Sequence, residues 1–241
     1  MSRVYFQALA REAASRYAPS DPFARHFGAG KLTGDPAFQF ILEKGLLPHG
    51  GSVLDLGCGQ AVLAALLLTA RAWHANGKWP ADWPPPPNPR ALRGIELRER
   101  DVKRARIATE GHGDFIHGDI RDIDFGRADA VVLLDVLHYI DRAAQEAVLD
   151  RVREALPDGG VLLLRIAGAG HGWRYRATVL IDRCVMLLRG HGLMRLWNRP
   201  VSEWRSLLAG RAFDVAEYPM SDGTPFANVL LVARYHPRDK A

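Results

Sequence analysis

From Ser52 onward, short apolar runs alternate with amphipathic ones, and this alternation constrains the fold more than any other feature of the chain. Strands are expected at 52–56, 92–97, 114–117, 130–135 and 161–166, with helices at 62–73, 100–109 and 143–155. Strands separated by helices pair in parallel, in a sheet covered on both faces. The last two apolar runs, 212–218 and 229–235, break the rhythm. Only the turn Ser221-Asp222-Gly223-Thr224-Pro225 is expected between them, too short for a crossover helix, so they read as an antiparallel hairpin.

The first strand runs into the most informative local stretch, Val53-Leu54-Asp55-Leu56-Gly57-Cys58-Gly59-Gln60-Ala61. Glycines here let backbone approach a ligand closely, and the N–H groups of the following helix attract polar atoms. A dinucleotide fingerprint counted from Gly57 would need a third glycine at 62, where the chain has Val62. The spacing is instead Asp-x-Gly-x-Gly, with Ala61 just before the helix.

Bulk properties fit one sizeable domain. The 241 residues, 48% hydrophobic and 24% charged, suit a single α/β core. Only Cys58 and Cys184 are present, which argues for a reducing compartment and against a disulfide framework. No apolar stretch reaches the ~20 residues of a membrane span, and 2–17 lacks the apolar centre of a signal peptide, so a cytoplasmic location is expected. Residues 1–48 read as a helical cap or lid, with turn signals at Pro19, Pro22, Gly28 and Gly30. Residues 49–241 form the core, interrupted by two insertions. The segment 74–91 is dense in proline and contains Trp79 and Trp83, so an extended loop is expected. The segment 171–200 holds six arginines against Asp182 alone, while the whole chain carries a formal +5. Such a segment reads either as a solvated helix face or as a surface for an acidic carrier, a membrane or a nucleic acid.

The Asp-x-Gly-x-Gly run resembles motif I of class I S-adenosylmethionine (SAM)-dependent methyltransferases, and the resemblance extends over about residues 50–235. It implies a Rossmann-like seven-stranded sheet, parallel with a terminal antiparallel hairpin, behind an N-terminal helical cap. It also assigns site residues, because open α/β sheets bind ligands beyond the carboxyl ends of their strands. Asp55, Gly57, Cys58 and Gly59 would line the methionine portion of the donor. At the second strand end stand Glu96 and Leu97, and the two carboxylate oxygens of Glu96 match two vicinal ribose hydroxyls. Asp119 would accept from the adenine amine or else close an Asx-turn, and the Ile120 backbone would meet the ring. Asp135 and Val136 would lie near the sulfonium.

Beside these, His138 is the candidate general base for a hydroxyl acceptor, with a packing or positioning role as the alternative. Tyr139, His171 and Tyr175 are candidates for the substrate pocket. No Cys/His cluster has zinc spacing, so no metal is expected. The fourth strand end lacks the Asn/Asp-Pro-Pro-Tyr run by which amino-methylating nucleic-acid enzymes resemble one another, which argues against DNA as partner. A narrower likeness rests on Gly30-Lys31-Leu32-Thr33-Gly34-Asp35-Pro36, on 135–139, and on Gly223-Thr224-Pro225-Phe226-Ala227-Asn228. These are similar to bacterial methyltransferases of aryl polyene and xanthomonadin-type pigment clusters. That likeness implies methylation of a small aromatic hydroxy compound, delivered on an acyl carrier protein. An RNA methyltransferase and a non-catalytic SAM-binding protein are the competing readings.

Overall fold

The computed structural model describes residues 2–167, 196–220 and 228–237. The expected 221–225 turn, His171, Tyr175 and most of the basic segment lie outside the described residues. Three helices come first: α1 (Ser2–Ser15), α2 (Pro22–Gly34) and α3 (Pro36–Glu43). Then follow β1 (Ser52–Leu56), α4 (Val62–Ala75), β2 (Ala91–Glu96), α5 (Glu99–Thr109), β3 (Asp114–His117) and β4 (Ala130–Leu134). After a short 3-10 turn at Leu137–Tyr139 come α6 (Arg142–Ala155), β5 (Val161–Ala167), α7 (Val201–Ala209), β6 (Phe213–Pro219) and β7 (Asn228–Tyr235). The seven strands form one sheet in the order β3-β2-β1-β4-β5-β7-β6. By contacts the chain divides into two compact units, Met1–Val132 and Leu133–Ala241.

In the first unit β1 pairs in parallel with β2, with Ser52 opposite Ala91, and β2 pairs in parallel with β3. Asp129 anchors the start of β1: its carboxylate accepts from Ser52 N at 2.7 Å and Ser52 Oγ at 2.8 Å. The helix α4 is apolar almost all round, as a helix enclosed by other elements must be. Gly28 and Gly30 do not mark a turn; α2 runs straight through them. Its start is fixed by Asp21, whose side chain accepts from Ala24 N, and by Pro22 in the first turn. Gly28 answers a packing need instead, since a Cβ there would sit 3.1 Å from the Tyr17 ring. After α4, which continues to Ala75, the Pro-rich stretch forms neither helix nor strand and includes a turn in which Trp83 N donates to Pro80 O at 3.2 Å, so it is a loop but not extended throughout. Tyr5, Trp73, Trp79 and Trp83 then pack edge to face, with Tyr5 centroids 5.1–6.4 Å from the three indoles.

In the second unit every residue of β5 is buried, which accounts for its nearly unbroken apolar sequence. β5 pairs antiparallel with β7, and β7 with β6, so the terminal hairpin is present. The strand β4 stops at Leu134 rather than at 135, because Asp135 takes φ +61° and leaves the extended region. The helix α7 has no counterpart in the sequence reading. Its burial rests on Trp204 and Leu208 alone, too few apolar positions for a clear period.

Candidate functional site: the strand ends of each unit

In the first unit the carboxyl ends of β1, β2 and β3 bring the motif residues together. Gly57 (φ +71°), Gly59 (φ +57°) and Ala61 (φ +60°) all take left-handed backbone within five residues. For the two glycines this is free, whereas for Ala61 it costs about 1 kcal/mol. The turn is held by Gly57 N and Cys58 N, both donating to Ile95 O, and by Gly59 N, donating to Glu96 Oε2 at 2.9 Å. Glu96 Oε1 also accepts from Arg98 N at 3.0 Å. The carboxylate expected at the ribose therefore also shapes the glycine turn, one oxygen on each side.

Asp55 is partly buried, and no described group hydrogen-bonds its carboxyl. Desolvation, together with the nearby Glu96 carboxylate, pushes its pKa up to about 7. Among the described residues no side chain caps the N-terminus of α4, and a Cβ built on Gly59 would meet nothing within 4 Å. Two adjacent acidic groups, an uncapped helix start and open space above a glycine suit a ligand that carries an ammonium group and polar hydroxyls.

Cys58 and Ala61 face the other way. Cys58 packs in a buried cluster with Ala61, Ala64, Val102, Ala105 and Phe115, and its thiol is raised by burial. Its side chain thus belongs to the core, which leaves only its backbone at the turn. The Ala61 methyl is buried in the same cluster. Leu97 is exposed and Ile120 buried. Asp119 closes an Asx-turn, accepting from Arg121 N at 2.9 Å, and is gripped by the Arg121 guanidinium at 3.0 and 2.6 Å. That grip holds its carboxyl below the usual range. His117 Nε2 lies 3.1 Å from Leu97 O, a structural tie.

In the second unit the end of β4 is organised by a residue the sequence reading missed. Arg165, on β5, is fully buried and pairs with Asp135 through both carboxylate oxygens, Nε to Oδ1 being 2.8 Å. Val136 follows and leads into the turn that carries His138. A charged residue inside the apolar run Val161-Leu162-Leu163-Leu164-Arg165-Ile166-Ala167 was the available signal, since buried arginine needs a partner. His138 is buried, its ring 4.0 Å from that of Tyr139 and its Nε2 without a hydrogen-bond partner among the described residues. Burial lowers its pKa to about 4, so the imidazole is neutral near pH 7. It lines a cavity of about 10 Å³, room for one water, together with Arg165, Trp197, Asn198 and Trp204.

Arg199, the last arginine of the basic segment, is not a surface charge. It is buried, donates to Gln145 Oε1 at 2.7 Å and to Glu146 at 2.8 Å, and also pairs with Glu203. Gln145 Nε2 in turn reaches the carbonyls of Leu137, Ile140 and Trp197 at 2.8–3.1 Å, pinning the His138 turn. Among the described residues no group of three or more His, Cys, Asp or Glu is placed to hold a metal ion, and no helix is long and apolar enough to cross a membrane.

Residues 25–215 match a methyltransferase-domain family. Carboxy-S-adenosyl-L-methionine synthase of Chromohalobacter salexigens is 33% identical over 142 residues, 57% of this chain and 46% of that protein. The chain thus spans about half the length of the curated relatives it matches. Among solved structures, an O-methyltransferase family protein from Burkholderia thailandensis superposes with TM-score 0.61 at 18% identity, covering 95% of this chain and 64% of the other. Magnesium protoporphyrin IX methyltransferase from Synechocystis PCC 6803 with bound SAH gives 0.59 at 19% identity, covering 97% of each chain. With its seven-stranded mixed sheet and terminal antiparallel pair, the chain has the methyltransferase fold and belongs to the methyltransferase-domain family.

Proposed function

We propose that this protein is a SAM-dependent methyltransferase acting on a small aromatic hydroxy compound. The observation that carries the donor is the β1 end: Asp55 is desolvated and stands near Glu96 with no hydrogen-bond partner among the described residues, which pushes its carboxyl up to about 7, next to the left-handed Gly57 and Gly59. A cationic amine at this position would offset the shift by favouring the ionised carboxyl. The open space at Gly59 takes the donor, the Glu96 carboxylate meets the ribose hydroxyls, and Leu97, Asp119 and Ile120 flank the adenine. Cys58 contributes backbone only. Asp135 and Val136 rest on the family resemblance alone.

Bound SAM supplies an activated methyl group on a sulfonium. The chain's own residues then have to align a nucleophile and exclude water, which accounts for most of the rate in such a displacement. His138 presents a buried, neutral imidazole near pH 7. At so low a basicity it serves best as a hydrogen-bond acceptor that orients a hydroxyl, rather than as the final resting place of its proton. Tyr139, His171 and Tyr175 complete the acceptor side of the proposal.

The curated relatives, named for a carboxylated SAM, support a small-molecule product over RNA. The pigment-cluster likeness names the acceptor more narrowly: an aromatic hydroxy head group, presented on an acyl carrier protein in the cytoplasm. Residues 1–48 act as the cap of the donor site in this reading. Calorimetry with S-adenosylhomocysteine tests the donor. Micromolar binding is expected, weakened at least tenfold in Glu96→Ala; no binding by the wild type removes the proposal. Product-mass assays on free and carrier-bound hydroxybenzoyl and hydroxycinnamoyl compounds, against methyl transfer to bulk RNA, then decide the acceptor.

A further inference from the structure

The glycine turn ends in a strained residue, and something outside it must hold it. Gly57 and Gly59 take positive φ freely, but Ala61 does not, and a non-glycine residue stays in the left-handed region only where its surroundings over-determine it. From the core side, the carbonyl of Ile95 and the carboxylate of Glu96 grip Gly57, Cys58 and Gly59. Gln60, between the last glycine and Ala61, is gripped from the N-terminal helices instead. The Tyr17 hydroxyl donates to Gln60 O at 2.7 Å, and Gln60 Nε2 donates to Ala24 O at 2.7 Å. Tyr17 is fully buried and Gln60 is 2% exposed, so neither bond competes with water. The room for this clamp is reserved by Gly28, where a Cβ would lie 3.1 Å from the Tyr17 ring and 3.3 Å from Gln60 Nε2.

The cap is also locked to α5, the helix that follows β2. Arg104 of α5 is buried and donates to Asp21 Oδ2 through Nε at 2.9 Å, while its Nη1 pairs with Asp101. Asp21 caps α2, the helix that supplies the Ala24 carbonyl. The N-terminal helices thus carry a chain of hydrogen bonds from α5, through Asp21 and Ala24, to the loop that bears Gly59.

We infer that Tyr17 and Gln60 are positioning residues for the methyl-donor loop: the N-terminal segment works as a strap that fixes the glycine turn in its ligand-binding shape. This rests on the donor reading above, although the strap itself has a readout that needs no ligand. Tyr17→Phe keeps the ring and its packing and deletes the one hydroxyl. Amide hydrogen exchange at 57–63 should quicken about fivefold, and S-adenosylhomocysteine should bind about fivefold more weakly, the worth of one buried hydrogen bond. Tyr5→Phe is the control. Its hydroxyl bonds Lys78 O at 2.6 Å, from the same helical cap but to a different loop. It should leave both readouts unchanged.

Gly28→Ala supplies a second, independent push on the clamp, should Tyr17→Phe fold poorly, and should shift both readouts in the same direction. Unchanged exchange at 57–63 in Tyr17→Phe overturns the strap, as does an equal effect in Tyr5→Phe, which would mean general loosening. If the wild type fails to bind S-adenosylhomocysteine, the donor reading falls while the exchange comparison still decides the strap.

Discussion

The ends of β1 and β4 are built by opposite means. At β1 the turn is made of backbone: left-handed glycines, amides on the Ile95 carbonyl, and a carboxylate that arrives from the adjacent strand. At β4 the turn is made of buried charge. Asp135 takes φ +61° without being glycine, and its carboxylate is clasped by Arg165, thirty residues further on. Backbone-built turns announce themselves in sequence because glycine takes this geometry without strain. Charge-built turns do not, since any Asp can precede any turn and the partner is remote. The same contrast repeats around them. Gly59 and Glu96 lie on neighbouring βα units, whereas the His138 turn depends on Gln145 and Arg199, 54 residues apart.

The comparison is tested most strongly at the ion pair. Asp135→Ala leaves the Arg165 guanidinium, with a side chain 1% exposed, without its main partner, and should destabilise the fold by about 3 kcal/mol in denaturant unfolding. Arg165→Met should cost less, because the Asp135 side chain, 29% exposed, can turn to water. Equal costs would mean that the pair is not what holds the β4 end.

At the β1 end the effect should appear in pH dependence. The Asp55 carboxyl titrates at about 7 in the fold against an ordinary 3.8, so the folded state takes up a proton across that interval. Its contribution to stability therefore falls as pH rises from about 4 to 7 and is constant above. Binding of a cationic ligand runs the other way, since only the ionised carboxyl attracts it. Affinity for S-adenosylhomocysteine should weaken below pH 7 by up to about tenfold per unit. Asp55→Asn should bind weakly at every pH and lose that slope. A slope that persists in Asp55→Asn would assign the titration elsewhere.

The smallest effect is expected at Ala61. Ala61→Gly relieves about 1 kcal/mol of left-handed strain and loses a buried methyl worth about 0.8 kcal/mol. The two nearly cancel, so the melting temperature should move by only a few degrees. A large loss would show that the methyl's packing against Cys58 and Phe115, rather than the turn geometry, governs this position.

Much of the molecule was legible. The order of strands and helices followed from periodicities of two and 3.6 residues, and most expected boundaries fell within two residues of the observed ones. Asp55, Gly57, Gly59 and Glu96 could be read because their geometry is local to strand ends. Gly28 and Gly30 misled for a physical reason: they resemble turn residues, yet in α2 the small side chain at 28 makes room for Tyr17. The helix α7 was missed because two buried positions leave almost no period.

The sequence by itself determined the alternating architecture, the terminal hairpin and the glycine turn, since each follows from side-chain period or backbone freedom within a few residues. Tertiary structure alone decided that Arg165 neutralises Asp135, that Arg199 is an interior hub rather than a surface charge, and that Tyr17 and Gln60 tie the N-terminal helices to the glycine turn. These depend on buried polar groups finding partners across long stretches of chain. Burial makes such pairing obligatory, but it leaves the choice of partner to the fold.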